Sequence, residues 1–206
     1  MRVAVVGGTG DFGLALVQRL AEAGDDVIVG SRDAERAREK AAAAGAASGA
    51  ANADAVRGVD LVVLAVKAEA ALSTATELAD AIGDTPVLSV ASELRFTKAG
   101  VHPTRDVRSI AERTQELLRA PVAAGLQSLA AVSIADGKAD GDALVCGDDP
   151  LAKDVALELA AKVVTGRALD AGPLSSARAL EGMTAVIVNL NRRYKGHAGV
   201  RIVGLP

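Results

Sequence analysis

Val3-Ala4-Val5-Val6-Gly7-Gly8-Thr9-Gly10-Asp11-Phe12-Gly13 runs from apolar residues into glycines and then into a helical pattern. Val3 to Val6 predicts a buried strand of a parallel sheet, since strands covered on both faces read as unbroken apolar runs. Leu14, Val17 and Leu20 then fall on one face of a predicted helix, with Gly24 as its stop. Gly8, Gly10 and Gly13 satisfy G-x-G-x-x-G in the strand–turn–helix setting that the pattern requires. Glycines at this spacing allow a tight turn, bring backbone amides up to a pyrophosphate and let the helix pack close to the strand. The helix N-terminus adds a favourable field for negative charge. Thr9, Asp11 and Phe12 complete this dinucleotide-binding loop. A plain Gly-rich turn shows the same bare motif, but the flanking elements and a second strand favour the nucleotide.

That second strand is Asp26 to Gly30, ending in Ser31-Arg32, with Arg36 one helical turn beyond. An acidic residue at this strand end suits the ribose hydroxyls of NAD, and a basic one the 2′-phosphate of NADP. A hydroxyl and two guanidiniums favour NADP(H) through charge-assisted hydrogen bonds. Asp33 reads as a helix N-cap rather than a ribose ligand.

The rest of the composition narrows the function by exclusion. A net charge of −3 gives no electrostatic case for nucleic acid. Phe12, Phe96 and Tyr194 are the only rings, so a flat ligand must lie against aliphatic side chains and backbone. Cys146 alone excludes an intramolecular disulfide or a cysteine cluster, and His102 and His197 are too isolated to suggest a metal. No apolar run is long enough to span a membrane and no signal-peptide pattern precedes the first strand, so the expected location is cytoplasmic.

Further along, Val59 to Val66 predicts a third strand, and Val66 and Lys67 at its end should border the ligand, which binds beyond the carboxyl ends of parallel strands. Ala34 to Ala47 and Ala70 to Ile82 predict helices, Pro86 to Val90 a fourth strand and Val122 to Gln127 a fifth. Gly45 to Ala53 reads as a small-residue linker and Ser92 to Pro103 as an irregular stretch, either a loop over the site or a long connection. Ser109 to Leu118, Leu151 to Val164 and Pro173 to Arg193 read as helices, Asp142 to Gly147 and Gly166 to Asp170 as strands. Alternation of this kind predicts an α/β protein with a doubly wound parallel sheet. Arg178 and Glu181, three apart on one helix, are expected to pair. Cys146 is expected in the core, and the apolar tail Val200 to Leu205 packed on the body of the protein.

Several segments resemble the NADPH-dependent coenzyme F420 reductases. They are the opening Met1 to Gly13, Val29-Gly30-Ser31-Arg32 with Arg36, Val145-Cys146-Gly147-Asp148-Asp149, and Leu169-Asp170-Ala171-Gly172-Pro173-Leu174-Ser175 followed by Arg178 and Glu181. They run in family order over nearly the whole chain. The resemblance implies a Rossmann-type domain, residues 1–125, holding NADP(H) along Gly8, Thr9, Gly10, Asp11, Phe12, Gly13, Ser31, Arg32 and Arg36. It also implies a small C-terminal α/β lobe, residues 126–206, that forms a cleft for the deazaflavin and a homodimer contact. The chain departs from the family pattern at that cleft. Lys67 and Ala68 replace a proline and a bulky residue, Val90-Ala91-Ser92-Glu93 replaces a proline-bearing stretch, and Gln127 stands where a histidine is expected.

Hydride transfer between two organic carriers needs no side-chain acid or base, because the carriers supply the chemistry and the protein supplies position. No catalytic side chain is therefore assigned. Gln127 is expected to orient the second ring by donating to a carbonyl of the deazaflavin. Two alternatives stay open: an NADP-linked reductase of another small substrate, and a non-catalytic NADP-binding sensor, since Gly7, Gly10 and Gly13 also fit G-x-x-G-x-x-G.

Overall fold

The computed structural model describes residues Met1 to Leu205; Pro206, the last position of the expected C-terminal region, lies outside the described residues. In chain order the elements are β1 (Arg2–Val6), α1 (Asp11–Glu22), β2 (Asp26–Ser31), α2 (Ala34–Ala43), β3 (Ser48–Ala51), α3 (Asn52–Ala55), β4 (Leu61–Leu64) and α4 (Ala68–Ile82). There follow β5 (Val87–Ser89), β6 (Leu94–Thr97), β7 (Gly100–Pro103), α5 (Ile110–Gln115), β8 (Val122–Gly125) and α6 (Ala131–Ala135). The chain ends with β9 (Ala143–Gly147), α7 (Pro150–Val163), β10 (Ala168–Asp170) and, after a 3₁₀ turn at Leu174–Ser176, α8 (Ala177–Tyr194).

Eight strands form one sheet in the order β10-β9-β8-β5-β4-β1-β2-β3. Alternate residues of β1 feed opposite layers. Val3 and Val5 pack with Leu16, Leu20 and Leu159 on one face. Ala4 and Val6 pack with Val56, Leu78 and Leu180 on the other. A sheet covered on both faces explains why its strands are unbroken apolar runs. The sheet is mostly parallel. Only β9 runs antiparallel to its neighbour β8, and β10 pairs parallel to β9. Residues 126–205 thus extend the same sheet with β9 and β10 instead of building a second one.

Two stretches differ from the sequence expectation. The small-residue linker contains β3 and α3, with β3 pairing in parallel to β2. Its composition hides the strand, yet the small side chains are what the position needs, because a Cβ on Gly49 would stand 2.3 Å from the Ala37 carbonyl oxygen of α2. The irregular connection is an antiparallel hairpin of β6 and β7. It is held to α8 by Asn189, whose Oδ1 accepts from Val101 N–H at 2.9 Å and whose Nδ2 donates to Val101 C=O at 2.7 Å.

Arg178 and Glu181 do not pair. Glu181 turns inward, 3% exposed, and accepts from the N–H groups of Ile110 and Ala111 at 3.1 and 3.2 Å, while Arg178 reaches the Thr104 carbonyl. The opening N–H groups of α5 have no intrahelical acceptor, and a buried carboxylate serves them better than it would serve an arginine already bonded elsewhere. Asp33 and Asp149 act as the N-caps of α2 and α7, and Pro150 takes the first helical position of α7. Cys146 is fully buried, and burial pushes its thiol up to about 12.

Candidate functional site

A cleft of about 700 Å³ opens at the carboxyl ends of β1, β4, β5 and β8. The β1–α1 loop forms one side, with Gly10, Asp11 and Phe12 on its surface. Gly10 is the N-cap of α1, and its own N–H is spent on the Gly7 carbonyl at 3.0 Å. Among the described residues the N–H groups of Asp11, Phe12 and Gly13 find no acceptor, as the first amides of a helix must not unless something is supplied. Three free amides on the positive end of a twelve-residue helix can receive a phosphate. Gly13 lies beneath them, where a Cβ would be 2.4 Å from the Gly7 carbonyl oxygen. Helix and loop therefore touch backbone to backbone; Gly8 supports the cradle from behind, and Gly13 offers it only its amide.

Ser31, Arg32 and Arg36 sit apart from the cleft, at the end of β2 and the start of α2. Ser31 is buried and its Oγ accepts from the Asp33 N–H at 3.2 Å, which leaves its hydroxyl hydrogen available. Asp33 spends its carboxylate on the N–H groups of Glu35 and Arg36 at 3.0 and 3.1 Å. Among the described residues neither the Arg32 nor the Arg36 guanidinium meets a carboxylate, and both are exposed. A hydroxyl beside two uncommitted cations suits a dianionic phosphate.

Val66 and Lys67 line the cleft, with Lys67 exposed as the N-cap of α4. Gln127 lines it as well, 6% exposed. The structure thus gathers Gly10, Asp11, Phe12, Val66, Lys67 and Gln127 around one cavity. Thr9 stays in the loop behind, and Ser31, Arg32 and Arg36 stand at the neighbouring strand end.

Ser92 and Leu126 also line the cleft, within the two stretches the sequence placed there, and Phe96 and Thr184 line it without having been singled out. Phe96 comes from the hairpin and Thr184 from α8, neither of which carries a motif. Ser92 was marked by its place directly after a strand end, in a stretch that departs from the family pattern at the cleft. Leu126 is fully buried with φ = +72°, a conformation that costs a branched residue about 1–2 kcal/mol. It reverses the chain after β8 and so places Gln127. Hydrogen bonds fix that region: Gln127 Nε2 to the Ser89 carbonyl at 3.2 Å, Thr184 Oγ1 to the Gln127 carbonyl at 2.9 Å, and a 2.8 Å contact between the hydroxyls of Ser92 and Thr184. The Gln127 Oε1 atom has no partner.

Comparison with known proteins agrees with this architecture. Residues 2–93 match the family described as "NADP oxidoreductase coenzyme F420-dependent". Over its full length the chain is 37% identical to the F420-dependent NADP reductase of Methanothermobacter thermautotrophicus, covering 96% of that protein. It is 35% identical to the F420-dependent NADP reductase of Methanocaldococcus jannaschii, covering 99% of it. In structure it resembles an Arthrobacter sp. FB24 protein provisionally assigned as an F420-dependent NADP reductase, with a TM-score of 0.84, 23% identity and full coverage of both chains. A pyrroline-5-carboxylate reductase from Coxiella burnetii shares the fold at a TM-score of 0.66 and 15% identity, covering 94% of this chain and 65% of that one. On full-length identity well above that of its fold neighbours, the chain belongs to the family of coenzyme F420-dependent NADP oxidoreductases.

Proposed function

We propose that this protein transfers a hydride between NADP(H) and the deazaflavin coenzyme F420. The observation that carries the reading is a succession of groups along the carboxyl edge of the sheet. It runs from two uncommitted arginines at β2, through free amides at the start of α1, into one cleft that reaches β8. Strands are about 4.8 Å apart, so the four intervals from β2 to β8 span about 19 Å, the scale of an extended dinucleotide with a ring at its far end.

In this reading Ser31, Arg32 and Arg36 hold the 2′-phosphate, and the amides of Asp11, Phe12 and Gly13 hold the pyrophosphate on the loop of Gly8, Thr9 and Gly10. Val66, Lys67 and Gln127 face the rings, with Lys67 near an anionic tail. When both are bound, the two coenzymes supply the chemistry, a hydride passing between the nicotinamide C4 and the deazaflavin C5. The chain's part is to stack and orient the rings and to exclude water. Phe12, Val66, Val90, Leu126 and Leu129 give the cleft aliphatic and aromatic walls for that purpose. Preorganised juxtaposition of this kind is worth roughly 7 kcal/mol or more of barrier, enough for catalysis without an acid or base on the chain; solvent supplies the ring proton.

Residues 1–125 carry the nucleotide, and residues from 126 onward complete the deazaflavin cleft and a homodimer contact. The dimer reading is supported by Val186, Leu190 and Tyr194, which repeat every four residues along α8 and are 57%, 41% and 71% exposed. We place the enzyme in the cytoplasm; among the described residues no helix is long and apolar enough to cross a membrane.

Purified protein mixed with NADPH and coenzyme F420 should bleach the visible absorbance of the oxidised deazaflavin, and NADH should do so far more slowly. Absence of bleaching with NADPH still bound would overturn the deazaflavin assignment, and turnover of a carbonyl or imine panel would then identify the substrate class. Sizing with light scattering at micromolar concentration should give a dimer; a monomer would refute that part.

A further inference from the structure

Counting hydrogens at the cleft floor fixes which way its hydrogen bonds run. The Gln127 carbonyl can only accept, so Thr184 spends its one hydroxyl hydrogen there at 2.9 Å. Ser92 Oγ lies 2.8 Å from Thr184 Oγ1 and must then be the donor in that pair, which leaves Ser92 lone pairs and no hydrogen. The Ser89 carbonyl also can only accept, so the Gln127 carboxamide presents one N–H of its NH₂ to it at 3.2 Å and keeps the second. The carboxamide oxygen is left over, buried and without a partner. The Ser89 hydroxyl lacks a partner too and forms no hydrogen bond with that oxygen. Both Ser92 and Gln127 line the cleft, and Gln127 is 94% buried in it by its 6% exposure.

The arrangement is held from three sides. Leu126 at φ = +72° turns the chain, Ser89 in β5 holds the side chain, and Thr184 in α8 holds the backbone. Leaving a buried acceptor unbonded costs about 1–3 kcal/mol, and a preorganised one rejects a ligand that fails to satisfy it.

We propose that Gln127 Oε1 and Ser92 Oγ are specificity-determining acceptors that read an N–H on the edge of the ring bound in the cleft. The proposal rests on the reading of the cleft as the ring site. It adds an accepting role to the one expected from sequence, in which Gln127 donates to a ring carbonyl. Two ring edges carry such an N–H: the carboxamide of the nicotinamide, and the imide N–H between the two carbonyls of the deazaflavin's pyrimidine ring.

Titration calorimetry on the whole protein separates these sources without turnover. In one arm NADP⁺ is compared with its 3-acetylpyridine analogue, in which a methyl replaces the amide NH₂. In the other, with NADP⁺ present, oxidised F420 is compared with the same deazaflavin methylated at the pyrimidine N–H. The wild type should bind one parent at least about tenfold more tightly than its N–H-less analogue, about 1.4 kcal/mol, and that arm names the ring. Gln127→Leu should bring the ratio to within about twofold while leaving the affinity for adenosine 2′,5′-bisphosphate unchanged, which also shows that the variant is folded. Ser92→Ala should lower the ratio by a smaller factor, and it serves alone if Gln127→Leu does not fold. The proposal is overturned if the wild type discriminates in neither arm, or if both variants keep the wild-type ratio. Failure of both parents to bind the wild type would instead remove the reading of the cleft, and this proposal with it.

Discussion

Arg32 and Arg36 show how little a residue needs to do in the free protein to be informative. Neither is spent on a carboxylate, although Asp33 and Glu35 are sequence neighbours, because Asp33 is occupied with the start of α2. A hydrogen bond to a charged group is worth about 1.5–3 kcal/mol. Arg32→Ala should therefore raise the KM for NADPH by about 10- to 100-fold, with the KM for F420 and the slow rate with NADH little changed, as read by steady-state kinetics. Glu181 supplies a second test at this scale. Burial pushes its carboxyl from the usual 4.5 up to about 7, against the two N–H groups of Ile110 and Ala111 that favour the charged form, with Glu93 and Glu112 adding repulsion. The native state thus keeps a proton that the unfolded chain releases. The stability contributed by Glu181 is full below about pH 4.5 and is lost as the pH rises toward about 7. Glu181→Gln should gain on the wild type by about 3 kcal/mol between those limits. In thermal scans the difference in Tm between the two proteins should shift by about 5–10 °C from pH 4.5 to pH 7.5, and a constant difference would contradict the assignment.

Among the elements, the β6–β7 hairpin carries consequences for the site. It walls the cleft with Leu94 and Phe96 yet touches the main sheet through no ladder. Its anchor is the pair of hydrogen bonds between Asn189 and the Val101 backbone, with the Arg192 guanidinium 5.6 Å from the Phe96 ring centroid as a second contact to α8. Asn189→Ala orphans one N–H and one C=O and should cost about 1–3 kcal/mol. Hydrogen exchange at Val101 should accelerate, and the KM for F420 should rise several-fold while that for NADPH stays near its original value. Equal effects on both would mean that the hairpin does not belong to the deazaflavin side. The pairing of β3 with α2 is tighter still, since Gly49 lies against the backbone of Ala37, where no side chain fits.

Across the whole molecule, the C-terminal tail ties the chain's end to the β9–β10 edge of the sheet. Val200 C=O accepts from the Asp142 N–H at 2.6 Å, and the Ile202 N–H donates to the Asp142 carboxylate at 2.7 Å. The Arg167 guanidinium reaches the Ile202 carbonyl. The N–H groups of Arg167 and Ile202 hold the Asp142 carboxyl below its usual range. None of these tail residues lines the cleft. Truncation after Gly199 should therefore lower the Tm by several degrees and leave kcat/KM nearly unchanged; the reverse pattern would place the tail in the active site.

The sequence by itself determined β1, the glycine loop, α1 and the basic end of β2. In these segments the chemistry is local: each signal, an apolar run, a helix start or a strand end, is written in a few consecutive residues. It also marked the Asp33 cap, because an N-cap acts on amides two or three residues away. Only the tertiary structure decided that a stretch of Ser, Gly and Ala is the strand β3, whose smallness answers to a helix elsewhere in the chain. It likewise decided that β9 runs against its neighbour, since an apolar run carries no direction. Val66, Lys67 and Gln127 were named from sequence, but the network that holds the ring end of the site belongs to this second class. Ser92 and Thr184 are 92 positions apart, and Thr184 and Gln127 are 57 apart. No motif joins residues at such separations; α8 and the hairpin bring them together by packing, and packing alone left the Gln127 oxygen without a partner.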